Sequence, residues 1–313
     1  MRIKFFFLFF FLLLNVRESR GCIVIPADSQ AFLLSDSLAN IKDTLALSEV
    51  RSSGRPHVLD WITNLPGDWW NWSKQSFTLR QLPLIGGLSV VTALTIITDY
   101  ESWQYFKKPY DNNKVFRQIN NVTSYLGDGK IQFGISAAYA LYGFAFNDDR
   151  AIRTASQVAE VILASGGVVQ LLKHLTGRES PFTATTPTGK WNFFPNQIEY
   201  LKHVPHYDAF PSGHIATALA TLTVIAENYP EKPWIKYVGY PIIASIAVGL
   251  VSTSIHWWSD IPLGMVLGYS FGILVSHPEG NKADLQSSSS VQSSLNFAVM
   301  SNGAPGLGFA LHW

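Results

Sequence analysis

Apolar residues are gathered into long blocks along this chain, and polar residues fall between the blocks. Six blocks stand out: Leu84–Ile97, Ile131–Phe146, Ala155–Leu172, Ile215–Ala226, Tyr237–Val251 and Ile261–Val275. Most run roughly 14 to 18 residues, too long for strands and short of the ~20 residues of a comfortable membrane span. Small residues recur inside them, as at Gly249, Gly264 and Gly268, which suits close helix packing. The pattern predicts an all-α bundle of six helices over residues 81–278. Strand-like alternation occurs only near the end. Leu295–Met300 and Leu307–Leu311 flank Asn302-Gly303-Ala304-Pro305-Gly306, and Asn-Gly is the strongest short turn signal. A small hairpin-like tail is expected there, after a serine-rich linker, with both in residues 279–313. A hairpin alone is not stable, so it docks, pairs with a partner or stays loose.

The start of the chain reads as a targeting segment, residues 1–21. Arg2 and Lys4 precede an unbroken apolar run from Phe5 to Leu14, of signal-peptide length. Export to the membrane or to an extracytoplasmic space is expected. Cys22 is the one cysteine, so no intrachain disulfide is expected. Residues 22–80 form a mixed extension with an aromatic cluster, Trp69-Trp70-Asn71-Trp72, that packs, covers a site or sits at an interface. Charged residues make up only 14% of the 313, against ~25% in ordinary soluble domains. A net charge of +1 gives no reason to expect a nucleic-acid partner. The low charge shifts the balance toward membrane association.

The chemistry-bearing residues lie at the ends of three apolar blocks. Lys173 follows one block, and Gly177 is placed to end that helix. Pro211-Ser212-Gly213-His214 opens another. Ser212 is a natural N-cap, Gly213 permits close approach to the backbone, and a helix N-terminus attracts anions. His214 would sit at the mouth of that site. His256 and Asp260 stand four apart, and on a helix they would share a face. A carboxylate on one imidazole nitrogen leaves the other nitrogen free to attack. Each feature alone is equally a cap, a dipole partner or a packing pair. Their joint occurrence, in this order, is a phosphate-handling set.

These three segments, Lys173 to Pro181, Pro211 to His214 and His256 to Asp260, resemble the type 2 phosphatidic acid phosphatase/vanadium haloperoxidase superfamily. Its motifs are K-x6-R-P, P-S-G-H and S-R-x5-H-x3-D. The resemblance implies a helical bundle and a metal-independent phosphatase without a cofactor. Lys173, Ser212 and Gly213 would hold the phosphate, His256 with Asp260 would be the nucleophile, and His214 the acid and base. Two family arginines are missing, since Ser180 and Leu250 occupy their places and Gly249 replaces the motif serine. Arginine is the better bidentate phosphate partner, so a substitute is expected. Arg178 is the nearest, with Lys190, Lys202, His203 and His206 as other candidates. The implied substrate is a phosphomonoester or pyrophosphate, with a lipid phosphate favoured by the aromatic segment Phe182–Asp208 between the first two motifs. A vanadate-dependent haloperoxidase-like enzyme and a non-catalytic envelope protein retaining the fold are the alternatives. Oligomeric state is not legible.

Overall fold

A computed structural model describes residues 60–277 and the backbone of two further strands. The signal-like segment, Cys22 and the serine-rich linker lie outside the described residues. Eleven α-helices occur among the described residues: α1 (Asp60–Thr63), α2 (Leu65–Ser76), α3 (Leu82–Ile97), α4 (Asp99–Asn112), α5 (Lys114–Leu126), α6 (Gly129–Phe146), α7 (Asp149–Thr176), α8 (Gln197–Lys202), α9 (Gly213–Asn228), α10 (Trp234–Ser252) and α11 (Ile261–Ser276). The six expected blocks are α3, α6, α7, α9, α10 and α11. The other five helices are short or mixed in polarity, so no apolar block marks them. β1 (Gln292–Val299) and β2 (Pro305–His312) pair antiparallel, with Gln292 opposite His312 and Val299 opposite Pro305.

Local chemistry sets the helix ends. Asp128, Asp148 and Ser212 each accept a backbone N–H in the first turn of α6, α7 and α9. Gly177 closes α7 at φ +52° and donates its N–H to the Lys173 carbonyl. That left-handed geometry is where glycine carries no Cβ penalty. A Cβ there would stand 2.3 Å from the Asn192 carbonyl oxygen.

The core lies where α7, α9 and α11 meet. Val158, Val161 and Val169 pack there against Ala216, Ala220, Val224, Leu267 and Phe271. Three glycines on α11 let α9 come close. A Cβ on Gly264 would lie 2.6 Å from the Ser212 carbonyl oxygen, and one on Gly268 2.3 Å from that of Ala216. On Gly272 it would meet the Thr223 side chain at 2.5 Å. Residues four apart share a helix face, so this stripe carries α9 backbone against α11 along its length. Register follows: the start of α9 is fixed beside the start of α11, where the Ser212 N–H donates to the Asp260 carbonyl at 2.9 Å.

Helical packing extends further toward the N-terminus than residue 81. The Trp69 indole N–H donates to the Ala164 carbonyl at 2.9 Å, and that of Trp72 donates to Ser270 at 2.9 Å. Trp72 also stacks on Phe271 with centroids 5.0 Å apart. Trp69 and Trp72 therefore make packing contacts, although one side of Trp69 stays exposed, and Trp70 is more exposed still.

Four stretches are long and apolar enough to cross a membrane: Leu79–Ile97, Asp149–Thr176, Trp234–Ser252 and Trp258–Ser276. The first buries none of its apolar window inside the molecule. Exposed apolar side chains continue on α6, at Leu141, Phe144 and Phe146. Soluble monomers rarely expose contiguous apolar surface beyond a few hundred Å². This outer surface is that of a membrane-associated protein.

Candidate active site

The three motif segments converge. Lys173 stands in the last turn of α7, Ser212 and Gly213 open α9, and His256 lies in the chain between α10 and α11. A Cβ on Gly213 would stand 3.9 Å from the Lys173 ammonium, so lysine and helix N-terminus face a common point. His214 Nδ1 and His256 Nε2 are 3.4 Å apart. A cavity of about 380 Å³ opens on His214, lined by Tyr110, Asn121, Ser124, Tyr125, Asp128, Thr253 and Ile255.

His256 and Asp260 do not share a helix as the spacing suggests. α10 ends at Ser252, His256 lies in a bend, and Asp260 closes a 3-10 turn, Trp258–Asp260. The Asp260 carboxylate accepts the Trp257 N–H at 2.7 Å and so ties this turn. Its Oδ2 remains 3.4 Å from His256 Nδ1. The nearer acceptor for Nδ1 is the Ala209 carbonyl, at 2.8 Å. A carbonyl only accepts, so Nδ1 carries the proton and Nε2 offers a lone pair toward His214.

Burial, followed by the Lys173 charge, pushes His256 down to about 3. Burial, then His256 and Lys173, push His214 down to about 3, against an opposing pull from Asp128 and Asp208. Both rings are neutral at neutral pH in the unliganded site. His256 is thus available as a nucleophile, and a proton on His214 awaits an anion in the site.

Arg178 does not take the expected place as a free phosphate clamp. Its side chain is fully buried, paired with Asp99 at 2.7 Å and with Asp260, and bonded to Ser259 and the Thr188 carbonyl. A guanidinium between two buried carboxylates has its charge and its fork already engaged. The other candidate cations lie elsewhere. Lys202 and His203 flank Glu199 at 3.2 and 3.8 Å, and His206 lies 3.9 Å from Glu179. Lys190 is exposed, with its backbone N–H on Glu179. Lys173 itself is paired with Asp208 at 3.3 Å.

Three carboxylates escaped the sequence reading: Asp99, Asp128 and Asp208, the partner of Lys173. Asp128 caps α6 and lines the cavity with His214, and nothing in the sequence puts it there. Asp99 opens an unmarked helix some 160 residues from Ser259, whose N–H and hydroxyl it accepts.

Residues 154–282 match the PAP2 superfamily. The chain is 32% identical over 68 residues to the lipid A 1-phosphatase of Porphyromonas gingivalis, covering 21% of this chain and 15% of that protein. It is 28% identical over 126 residues to the probable lipid phosphate phosphatase 4 of Arabidopsis thaliana, covering 34% of this chain and 41% of that one. The matches thus span less than half the length of either relative. Among solved structures, it is similar to Aquifex aeolicus LpxE, at TM-score 0.43 and 20% identity, covering 56% of this chain and 93% of that one. It is also similar to a PAP2-type phosphatidylglycerolphosphate phosphatase of Bacillus subtilis, at TM-score 0.40 and 11% identity, covering 71% and 97%.

Proposed function

We propose that this protein is a membrane-associated phosphatase that hydrolyses a phosphomonoester or pyrophosphate of a lipid through a phosphohistidine. The observation that carries the reading is the His256 ring. Its Nδ1–H is held by the Ala209 carbonyl, and its Nε2 lies 3.4 Å from His214 beside Lys173 and the N-terminus of α9. The phosphate oxygens would sit on the Gly213 N–H, Ser212 and the Lys173 ammonium, displacing Asp208 from that lysine. Their negative charge raises the proton affinity of His214. His256 Nε2 attacks phosphorus while the bond to the leaving oxygen breaks, and His214 gives that oxygen its proton. Neutral His214 then takes a proton from water, the water oxygen attacks phosphorus, and the P–N bond breaks. Helix N–H groups and Lys173 stabilise the charge on the transferring group. The apolar exterior and the names of the relatives support a lipid as substrate. The signal-like N-terminus supports action at an extracytoplasmic membrane face.

The test is phosphate release by detergent-purified protein from p-nitrophenyl phosphate, phosphatidic acid and an isoprenoid pyrophosphate, with and without EDTA. Release that resists EDTA and is lost in both His256→Ala and His214→Ala is the expected result. A second reading, a non-catalytic relative with a retained pocket, is favoured by the engagement of Lys173 and Arg178 with carboxylates. No release from any substrate by folded protein would select it over the phosphatase.

A further inference from the structure

α4 carries one face that holds the histidine segment. Asp99, Trp103 and Phe106 stand at i, i+4 and i+7 and share that face. Phe106 packs on Trp258 with centroids 5.2 Å apart. The Trp103 indole N–H donates to Ser254 at 3.0 Å, and its ring lies 6.0 Å from Trp257 at 64°. Asp99 is fully buried. It accepts the Ser259 N–H at 3.1 Å and the Ser259 hydroxyl, and pairs with Arg178 at 2.7 Å. Arg178 passes the connection to Asp260, whose second oxygen faces His256 Nδ1 at 3.4 Å. One cation is thus shared between two buried anions, and one of those anions borders the histidine.

We propose that Asp99 is a positioning residue for His256, acting through Arg178, Ser259 and Asp260. This makes α4 part of the site although it lies outside the matched residues 154–282. The proposal rests on the phosphatase reading for its kinetic consequence. Without the Asp99 charge, Asp260 is the one anion left on Arg178 among the described residues, and Arg178 draws that carboxylate from the imidazole. Ser259 loses the acceptor that fixes the turn between His256 and Asp260. A buried anion that shares a cation cannot be replaced by a neutral group without redistributing the remaining pair.

The experiment uses full-length protein in detergent. Asp99→Asn is expected to lower kcat on the order of 100-fold with KM nearly unchanged, as a displacement of about 1 Å at a reacting group does. Ser259→Ala, a milder break, should lower kcat less. If Asp99 acts through Asp260, the Asp99→Asn/Asp260→Asn double variant is no slower than the slower single one. Wild-type kcat in Asp99→Asn, a loss seen in KM alone, or losses that multiply in the double variant would overturn the proposal. If Asp99→Asn does not fold, Asp99→Glu and Ser259→Ala carry the same comparison. Should wild-type protein release no phosphate, the phosphatase reading fails by itself. Asp99 is then judged on the imidazole nitrogen resonances of His256 in 15N-histidine-labelled protein. They should move in Asp99→Asn or Asp99→Glu, and unmoved resonances would refute the proposed role.

Discussion

At the scale of single residues, the site is defined by which charges are already engaged. Lys173 is buried and faces Asp208, which retains partial exposure. A phosphate must therefore compete with Asp208 for the ammonium. Asp208→Asn removes the competitor, and partly exposed pairs of this kind are worth up to about 1 kcal/mol. Inhibition by inorganic phosphate should strengthen severalfold in that variant, and an unchanged inhibition constant would show that Lys173 does not meet the anion. Arg178 is the opposite case. Its partners are both fully buried, and removing one member of such a set costs about 3–5 kcal/mol. Arg178→Met should lower the melting temperature markedly, whereas a substrate clamp on the surface would change KM and leave melting alone.

At the scale of elements, the decisive contact is α9 on α11. Gly264, Gly268 and Gly272 bring the two backbones together, and the same contact sets Ser212 against Asp260. Gly268→Val places a branched side chain where a Cβ alone would be 2.3 Å from a backbone oxygen. Overpacking of this kind costs about 1–3 kcal/mol, and here it also separates two motif segments. Thermal melting should fall and activity should fall with it. Gly166→Ala is the control, since a Cβ there meets nothing within 4 Å. Replacing a helix-interior glycine in open space is stabilising by roughly 0.5–1 kcal/mol. Equal effects from the two substitutions would show that the stripe does not fix the packing.

At the scale of the molecule, two properties follow from the distribution of polarity. Apolar side chains cover both the core and much of the outside, so the protein should remain in the membrane fraction after alkaline carbonate and enter solution with detergent. Extraction by carbonate alone would contradict the reading of its surface. Stability should also depend on pH. His256 titrates near 3 in the fold, and an exposed histidine near 6.5. Between those values the unfolded chain binds a proton that His256 excludes in the fold, so the His256 contribution to stability falls as pH drops from 6.5 and is full above it. The melting temperature of the wild type relative to that of His256→Gln should decline from pH 7 toward pH 4.

The sequence by itself determined the helical class, six of the helices and the identity of Lys173, Ser212, Gly213, His214, His256 and Asp260 as candidates. Periodicity, caps and spacing act over a few residues, so a linear reading captures them. The tertiary structure decided which candidates meet. Arg178 is two positions from its expected place, yet its guanidinium belongs to a buried cluster that draws on Asp99, Ser259 and Asp260. The i, i+4 spacing of His256 and Asp260 suggested one helix, whereas the Trp257 N–H bond to Asp260 builds a turn. Asp99 and Asp128 reach the site through helix packing over long sequence separations, and burial and partner geometry leave no trace in local pattern.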